Sequence, residues 1–138
     1  MQSTGAPIID TQRRKEGRRG VLHAIDAFVF SLQGLRTAWR QETAFRLQCA
    51  ALVPLVPLAF VIARDAVELA LLLGSCALVM MAEMFNSAIE RLVDRIGTET
   101  HPLSGEAKDL GSAGVFITMM LLLAVWIPIA WQNLGPAP

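Results

Sequence analysis

The chain has 138 residues, with 12 basic and 12 acidic side chains and a formal net charge of zero. Apolar residues make up 54% of it, above the about 45–50% usual in soluble domains, and mean hydropathy is +0.47. One domain is expected, without a nucleic-acid partner, and the two cysteines, Cys49 and Cys76, sit inside apolar runs with neither a disulfide framework nor a metal-ligand spacing.

Residues 1–20 read as a flexible basic tail, centred on Gln12-Arg13-Arg14-Lys15-Glu16-Gly17-Arg18-Arg19-Gly20. No apolar h-region follows the cluster, so it is not a signal peptide. Beside anionic lipid each such charge gains roughly 1 kcal/mol. Residues 21–44 then carry Ile25, Phe28, Val29, Leu32, Leu35 and Trp39 at helical spacing, with Arg36, Arg40 and Glu42 off that stripe. This is an amphipathic helix, too charged to span a bilayer and suited to its surface. The alternative is a core helix of a soluble bundle, which the rest of the chain disfavours.

A first span is expected at 46–64, since Leu47 to Ala63 carry no charge. Pro54 and Pro57 should kink it, and Arg64-Asp65 is a polar break. A second span, 66–96, starts with an apolar run from Val67 and must continue to about Ile89 to cross. The polar segment around Gly97–Gly105 ends it, and Ser104 or Gly105 is the expected cap of the next helix. The third span, 106–132, holds an uncharged run from Leu110 to Trp131, with Trp126 and Trp131 suited to an interfacial aromatic belt. Residues 133–138 are a short tail. Eight of the 12 basic residues fall at or before Arg46, Arg91, Arg95 and Lys108 surround the second turn, and Arg64 stands alone in the first. The positive-inside rule therefore predicts a cytoplasmic N-terminus and, after three spans, an external C-terminus.

The second span contains the chemistry: Glu83-Met84-Phe85-Asn86-Ser87-Ala88-Ile89-Glu90-Arg91-Leu92-Val93-Asp94. At about 100° per residue, Glu83, Glu90 and Asp94 fall within roughly 40° of one another, flanked by Asn86 and Ser87. Arg91 points one step round, and no basic residue lies within the stripe. A solvated face just outside the membrane would explain Asp94, but not Glu83, which adjoins an apolar run where ionisable groups are expensive and usually functional. Glu42 is expected near Glu83 and Glu90. Carboxylates without His or Cys favour hard cations, Mg²⁺ above all, and Lys108 near a helix N-terminus favours an anion. The sequence has no G-x-x-x-x-G-K-[ST] loop. Glu83, at membrane depth, is a candidate general base for a lipid alcohol. The residues thus point to a membrane enzyme moving a phosphoryl group onto a lipid hydroxyl. A scaffold or ion-handling subunit with a cation site is the other class.

The pattern Glu83-x-x-Asn86-Ser87-Ala88-Ile89-Glu90-x-x-Val93-Asp94 resembles the signature of the bacterial integral-membrane diacylglycerol kinase family. The likeness extends over Gly34-Leu35-Arg36-Thr37-Ala38-Trp39, Glu42-x-Ala44-Phe45-Arg46, Arg95-Ile96-Gly97, His101 and Ala107-Lys108-Asp109-x-Gly111-Ser112-Ala113, about residues 21–132. It implies an all-α membrane protein: a homotrimer of three-span subunits, each with an N-terminal surface helix, in the bacterial inner membrane. It implies Mg²⁺-dependent transfer of the ATP γ-phosphate to 1,2-diacylglycerol, giving phosphatidic acid, with undecaprenol as the alternative lipid alcohol. By the same resemblance Glu83 is the base, and Glu42 and Glu90 hold metal on ATP. Glu99, Thr100, His101, Lys108 and Asp109 contact the nucleotide, together with His23 and Phe30 on the surface helix. Ser31, Arg36, Trp39, Ala44 and Ser112 border the lipid, and Asn86 and Asp94 support the site. Three positions depart from the family pattern: His23 where Arg is common, Phe30 where Tyr is common, and Gln48 where Glu is common.

Overall fold

The computed structural model describes the backbone of residues 8–97 and 101–135, and the side chains of residues 22–97 and 101–135. All the described secondary structure is α-helical: α1 (Ile8–Gln41), α2 (Thr43–Leu52), α3 (Leu55–Ile62), α4 (Ala66–Ile96) and α5 (Pro102–Leu134). Two compact units are distinguished, Met1–Thr37 and Ala38–Pro138.

The first unit is most of α1, which begins upstream of the boundary expected at residue 21. Inside it Ser31 Oγ donates to the Ala27 carbonyl, 2.9 Å away, a back-bond that keeps a hydroxyl quiet on a helix. The end of α1 belongs to the second unit. It comes at Gln41, short of the expected 44, because Glu42 adopts extended backbone (φ −105°, ψ 112°) and starts α2. Arg46 reaches back over this break, its guanidinium donating to the carbonyls of Trp39 (3.2 Å) and Arg40 (3.4 Å) and to Thr43 Oγ1 (3.0 Å). A cation there meets both the open carbonyls and the negative end of the helix dipole.

Three helical stretches in the second unit are long and apolar enough to cross a bilayer: Thr43–Ile62, Ala66–Ile96 and Pro102–Leu134. The first is broken, as its prolines predict. α2 stops at Leu52, with the Val53 amide closing on the Cys49 carbonyl at 2.9 Å. α3 restarts with Pro54 at its N-cap and Pro57 in its first turn, where a missing N–H does no harm. Asp65 caps α4 through its carboxylate, which accepts from the Val67 (2.8 Å) and Glu68 (2.9 Å) amides. The third helix starts at Pro102, before the Ser104 or Gly105 cap expected from sequence. His101 is the cap: its Nδ1 accepts from the Leu103 amide at 3.2 Å, and Pro102 follows with φ already suited to a first helical position.

The core runs through the middle of this unit. Leu52, Ala59 and Ile62 of the broken helix meet Leu72, Cys76 and Val79 of α4 and Trp126 of α5. The α4 contributors recur every three to four residues, one face of a helix. Trp126 inserts its ring there and donates from Nε1 to the Leu72 carbonyl at 3.3 Å. Most of α5 remains outside this core: Phe116, Ile117, Met119, Leu121, Leu123 and Ile127 are exposed in the single chain, the surface expected of a helix meeting lipid or further helices.

Candidate functional site

α4 extends past the core into a polar stretch without interruption, so its buried face changes from Leu72, Cys76 and Val79 to Glu83, Asn86 and Ser87. Helical spacing carries the same face from hydrocarbon chemistry to carboxylate and amide chemistry. Glu83 is 4% exposed. A buried carboxylate without a hydrogen bond would be very costly, and one is supplied: Gln48 Nε2 of α2 donates to Glu83 Oε2 at 2.9 Å.

One turn on, Asn86 Nδ2 donates to Glu90 Oε1 at 3.1 Å. Asn86 Oδ1 is buried and has no partner among the described residues. Gly111 of α5 lies against it, and a Cβ at position 111 would collide with Asn86 Oδ1. The glycine thus lets α5 approach the carboxylate stripe at that level. Glu42 comes to the same stripe from the start of α2. Arg91 Nε and Nη2 both donate to Glu42 Oε1, at 2.8 and 2.6 Å. Further along, Lys108 Nζ meets Asp94 Oδ1 at 2.7 Å. No cation lies within the stripe, as sequence indicated, yet Arg91 and Lys108 reach acidic groups from beside it and from α5.

The sequence-derived residues therefore divide. Glu42, Glu83, Asn86, Glu90, Asp94 and Lys108 take part in polar contacts between or along α2, α4 and α5. Asp109 and Ser112 are exposed on the first turns of α5, and Trp39 and Ala44 are exposed around the α1–α2 break. His101 is engaged as the α5 cap. His23, Phe30, Ser31 and Arg36 belong to the first unit. Glu99 and Thr100 lie outside the described residues. Three residues acquire importance only here. In sequence Gln48 is a departure from a pattern, Arg91 lies on another face, and Gly111 is one residue of a motif. No local signal links Arg91 to Glu42, which lies 49 residues away.

Two cavities adjoin this region. One of 180 Å³ lies between α2, α3, α4 and α5, lined by Ala51, Leu52, Leu55, Val79, Met119, Leu122, Leu123 and a single polar residue, Gln48. The other, of 750 Å³, opens beside the α4–α5 turn against Val93, Gly97, His101 and Ser104. Among the described residues, no three His, Cys, Asp or Glu side chains gather as a metal site within one chain. The donor chemistry nonetheless suits a hard cation: Glu42 and Glu90 each engage a protein donor through Oε1 alone, and carboxylate oxygens are the ligands Mg²⁺ takes.

Comparison with known proteins bears on what this arrangement does. The family model described as prokaryotic diacylglycerol kinase matches residues 29–130. A protein of Haemophilus influenzae named diacylglycerol kinase is 49% identical over 107 residues, covering 78% of this chain and 91% of the relative. Its Escherichia coli K12 namesake is 44% identical over 116 residues, covering 84% and 95%. The Pseudomonas aeruginosa one is 40% identical over 114 residues, covering 83% and 93%.

Proposed function

The chain belongs to the prokaryotic diacylglycerol kinase family, and from that premise we propose that Glu83 is the general base of a phosphoryl transfer from ATP to the free hydroxyl of diacylglycerol. The protein is a diacylglycerol kinase, and its product is phosphatidic acid. The observation that carries the assignment is a buried carboxylate on an apolar helix, tied to Gln48 at 2.9 Å beside a cavity lined by aliphatic side chains. A lipid alcohol must present its hydroxyl from within hydrocarbon, and a base for it has to lie at that depth. In the transfer the lipid O–H proton passes to Glu83 as the oxygen bonds to the γ-phosphorus. The bond from that phosphorus to the bridging oxygen breaks, and its electron pair stays on ADP.

Glu42 and Glu90 would hold Mg²⁺, which when bound neutralises charge on the ATP phosphates. Lys108, at the N-terminal end of α5, would exchange Asp94 for a phosphate oxygen. Asp109, Glu99, Thr100 and His101 would contact the nucleotide, and the 750 Å³ cavity beside His101 supports that reading. His23 and Phe30 would join them from the surface helix, while Ser31, Arg36, Trp39, Ala44 and Ser112 would border the lipid. Asn86 would orient Glu90, its partner at 3.1 Å.

The protein is a membrane protein with three helices of spanning length. Along the chain, eleven of the 12 basic residues fall at or before Arg46 or flank the turn after the second span, and Arg64 stands alone in the first turn, which supports a cytoplasmic N-terminus and active centre and an external C-terminus in the inner membrane. A homotrimer with sites shared between subunits is supported by the exposed apolar surface of α5. Phosphate incorporation into diacylglycerol by purified protein in mixed micelles, with undecaprenol in parallel, tests this reading. Turnover should require both ATP and Mg²⁺ and fall by about 10²–10⁴-fold in Glu83→Gln. Full turnover in that variant would remove Glu83 as the base.

A further inference from the structure

Gln48 departs from the family pattern, and its surroundings show what an amide does there. Its Nε2 donates to Glu83 Oε2, the only side-chain hydrogen bond Glu83 makes among the described residues. Its Oε1 is buried and has no partner among those residues. It is also the one polar residue lining the 180 Å³ cavity. An orphaned buried acceptor is costly, so a half-paired amide facing aliphatic walls is a poor choice for stability. Met or Leu would fill the same space without that penalty. Buried polar groups left in this condition are found at working sites.

We propose that Gln48 is a positioning residue for the phosphoryl transfer, clamping one oxygen of Glu83 so that the other faces the lipid hydroxyl. This rests on Glu83 as the base. An amide suits the task because its N–H donors persist whatever the ionisation of its neighbour. A carboxyl in its place would need a proton in order to donate. The clamp also holds Glu83 to one rotamer, and near-attack geometry is sensitive to shifts of about 1 Å. The aliphatic cavity beside Gln48 supplies the matching apolar surface, so the site recognises an alcohol carried on a hydrocarbon chain.

The test uses the full chain in mixed micelles with diacylglycerol and MgATP, comparing wild type, Gln48→Met, Gln48→Asn and Glu83→Gln. Gln48→Met keeps the length and removes both polar atoms. It should lower kcat by about 100-fold, the scale of a misplaced catalytic group, and raise KM for diacylglycerol. KM for MgATP should stay within about 2-fold, since nucleotide binding is untouched. Gln48→Asn, one methylene shorter and still polar, should show the same split and carries the test if the Met variant does not assemble. A folded Gln48 variant with wild-type kcat overturns the proposal while leaving Glu83 as base, provided Glu83→Gln is inactive. An active Glu83→Gln instead overturns the base assignment. A merely structural Gln48 would lower the unfolding midpoint and leave kcat of the folded protein unchanged, which also overturns the proposal.

Discussion

The two ends of the helix bundle differ in how far their polar groups are tied together. At the α3–α4 turn, polar groups are joined in a closed knot. The Arg64 amide donates to Glu68 Oε2 at 2.8 Å, its guanidinium donates to the Gln132 carbonyl at 2.9 Å, and Asn133 Nδ2 donates to the Ile62 carbonyl and to Glu68 Oε2 at 2.8 and 2.6 Å. Asn133 Oδ1 is the one buried side-chain atom left without a partner there among the described residues. At the Glu83 end, Gln48 Oε1 and Asn86 Oδ1 are both unpartnered beside carboxylates, and the ion pairs Glu42–Arg91 and Asp94–Lys108 are partly or largely open to solvent. One end ties three helices together, while the other leaves two buried acceptors unpaired among the described residues. Under the proposed function the tied end would fix the helices that carry the Glu83 site.

Substitutions should separate these roles. The largest effect is expected for Glu83→Gln: kcat falls by about 10²–10⁴-fold with little change in unfolding midpoint, measured as diacylglycerol-dependent ADP release. Loss of folding instead would make Glu83 part of the frame. Gly111→Ala comes next. Its Cβ would strike Asn86 Oδ1, and relief by shifting α5 costs about 1–3 kcal/mol. Activity of the folded protein should drop about tenfold or more, because under the proposed function Asn86 orients Glu90. Unchanged kcat in Gly111→Ala would mean the Asn86–Glu90 pair tolerates displacement.

Asn133→Ala should do the converse, costing about 1–2 kcal/mol of stability from two lost hydrogen bonds and leaving kcat of the folded protein intact. Denaturation in micelles and turnover at low temperature report the two quantities. A large fall in kcat would show that the two ends are coupled. Arg91→Leu should be mildest for stability, under about 1 kcal/mol, since the Arg91 side chain is 42% exposed. It releases Glu42, so KM for MgATP should rise a few-fold. Titration of activity against Mg²⁺ checks this, and an unchanged curve would detach Glu42 from metal binding.

Much of this protein can be read along one dimension, for a physical reason. Hydropathy, helical periodicity, proline breaks and charge asymmetry are properties of neighbouring residues. They place three spans, the interruption at Pro54, the polar turn at Arg64-Asp65 and the face shared by Glu83, Glu90 and Asp94. The α5 cap was misplaced because Ser104 and Gly105 are strong capping types, whereas His101 caps only in combination with the fixed φ of Pro102.

Pairing between helices obeys no such local rule. Arg91 lies off the stripe by its angle on α4, yet its long side chain reaches Glu42 once α2 packs alongside. Gln48 looked like a lost carboxylate until its amide met Glu83. Gly111 acquired a purpose only when Asn86 came close enough to exclude a methyl group. Chain chemistry decides which helices form and which of their faces carry charge. Contact over a few ångströms between residues dozens of positions apart decides which of those charges are held, and that is set by how the helices cross.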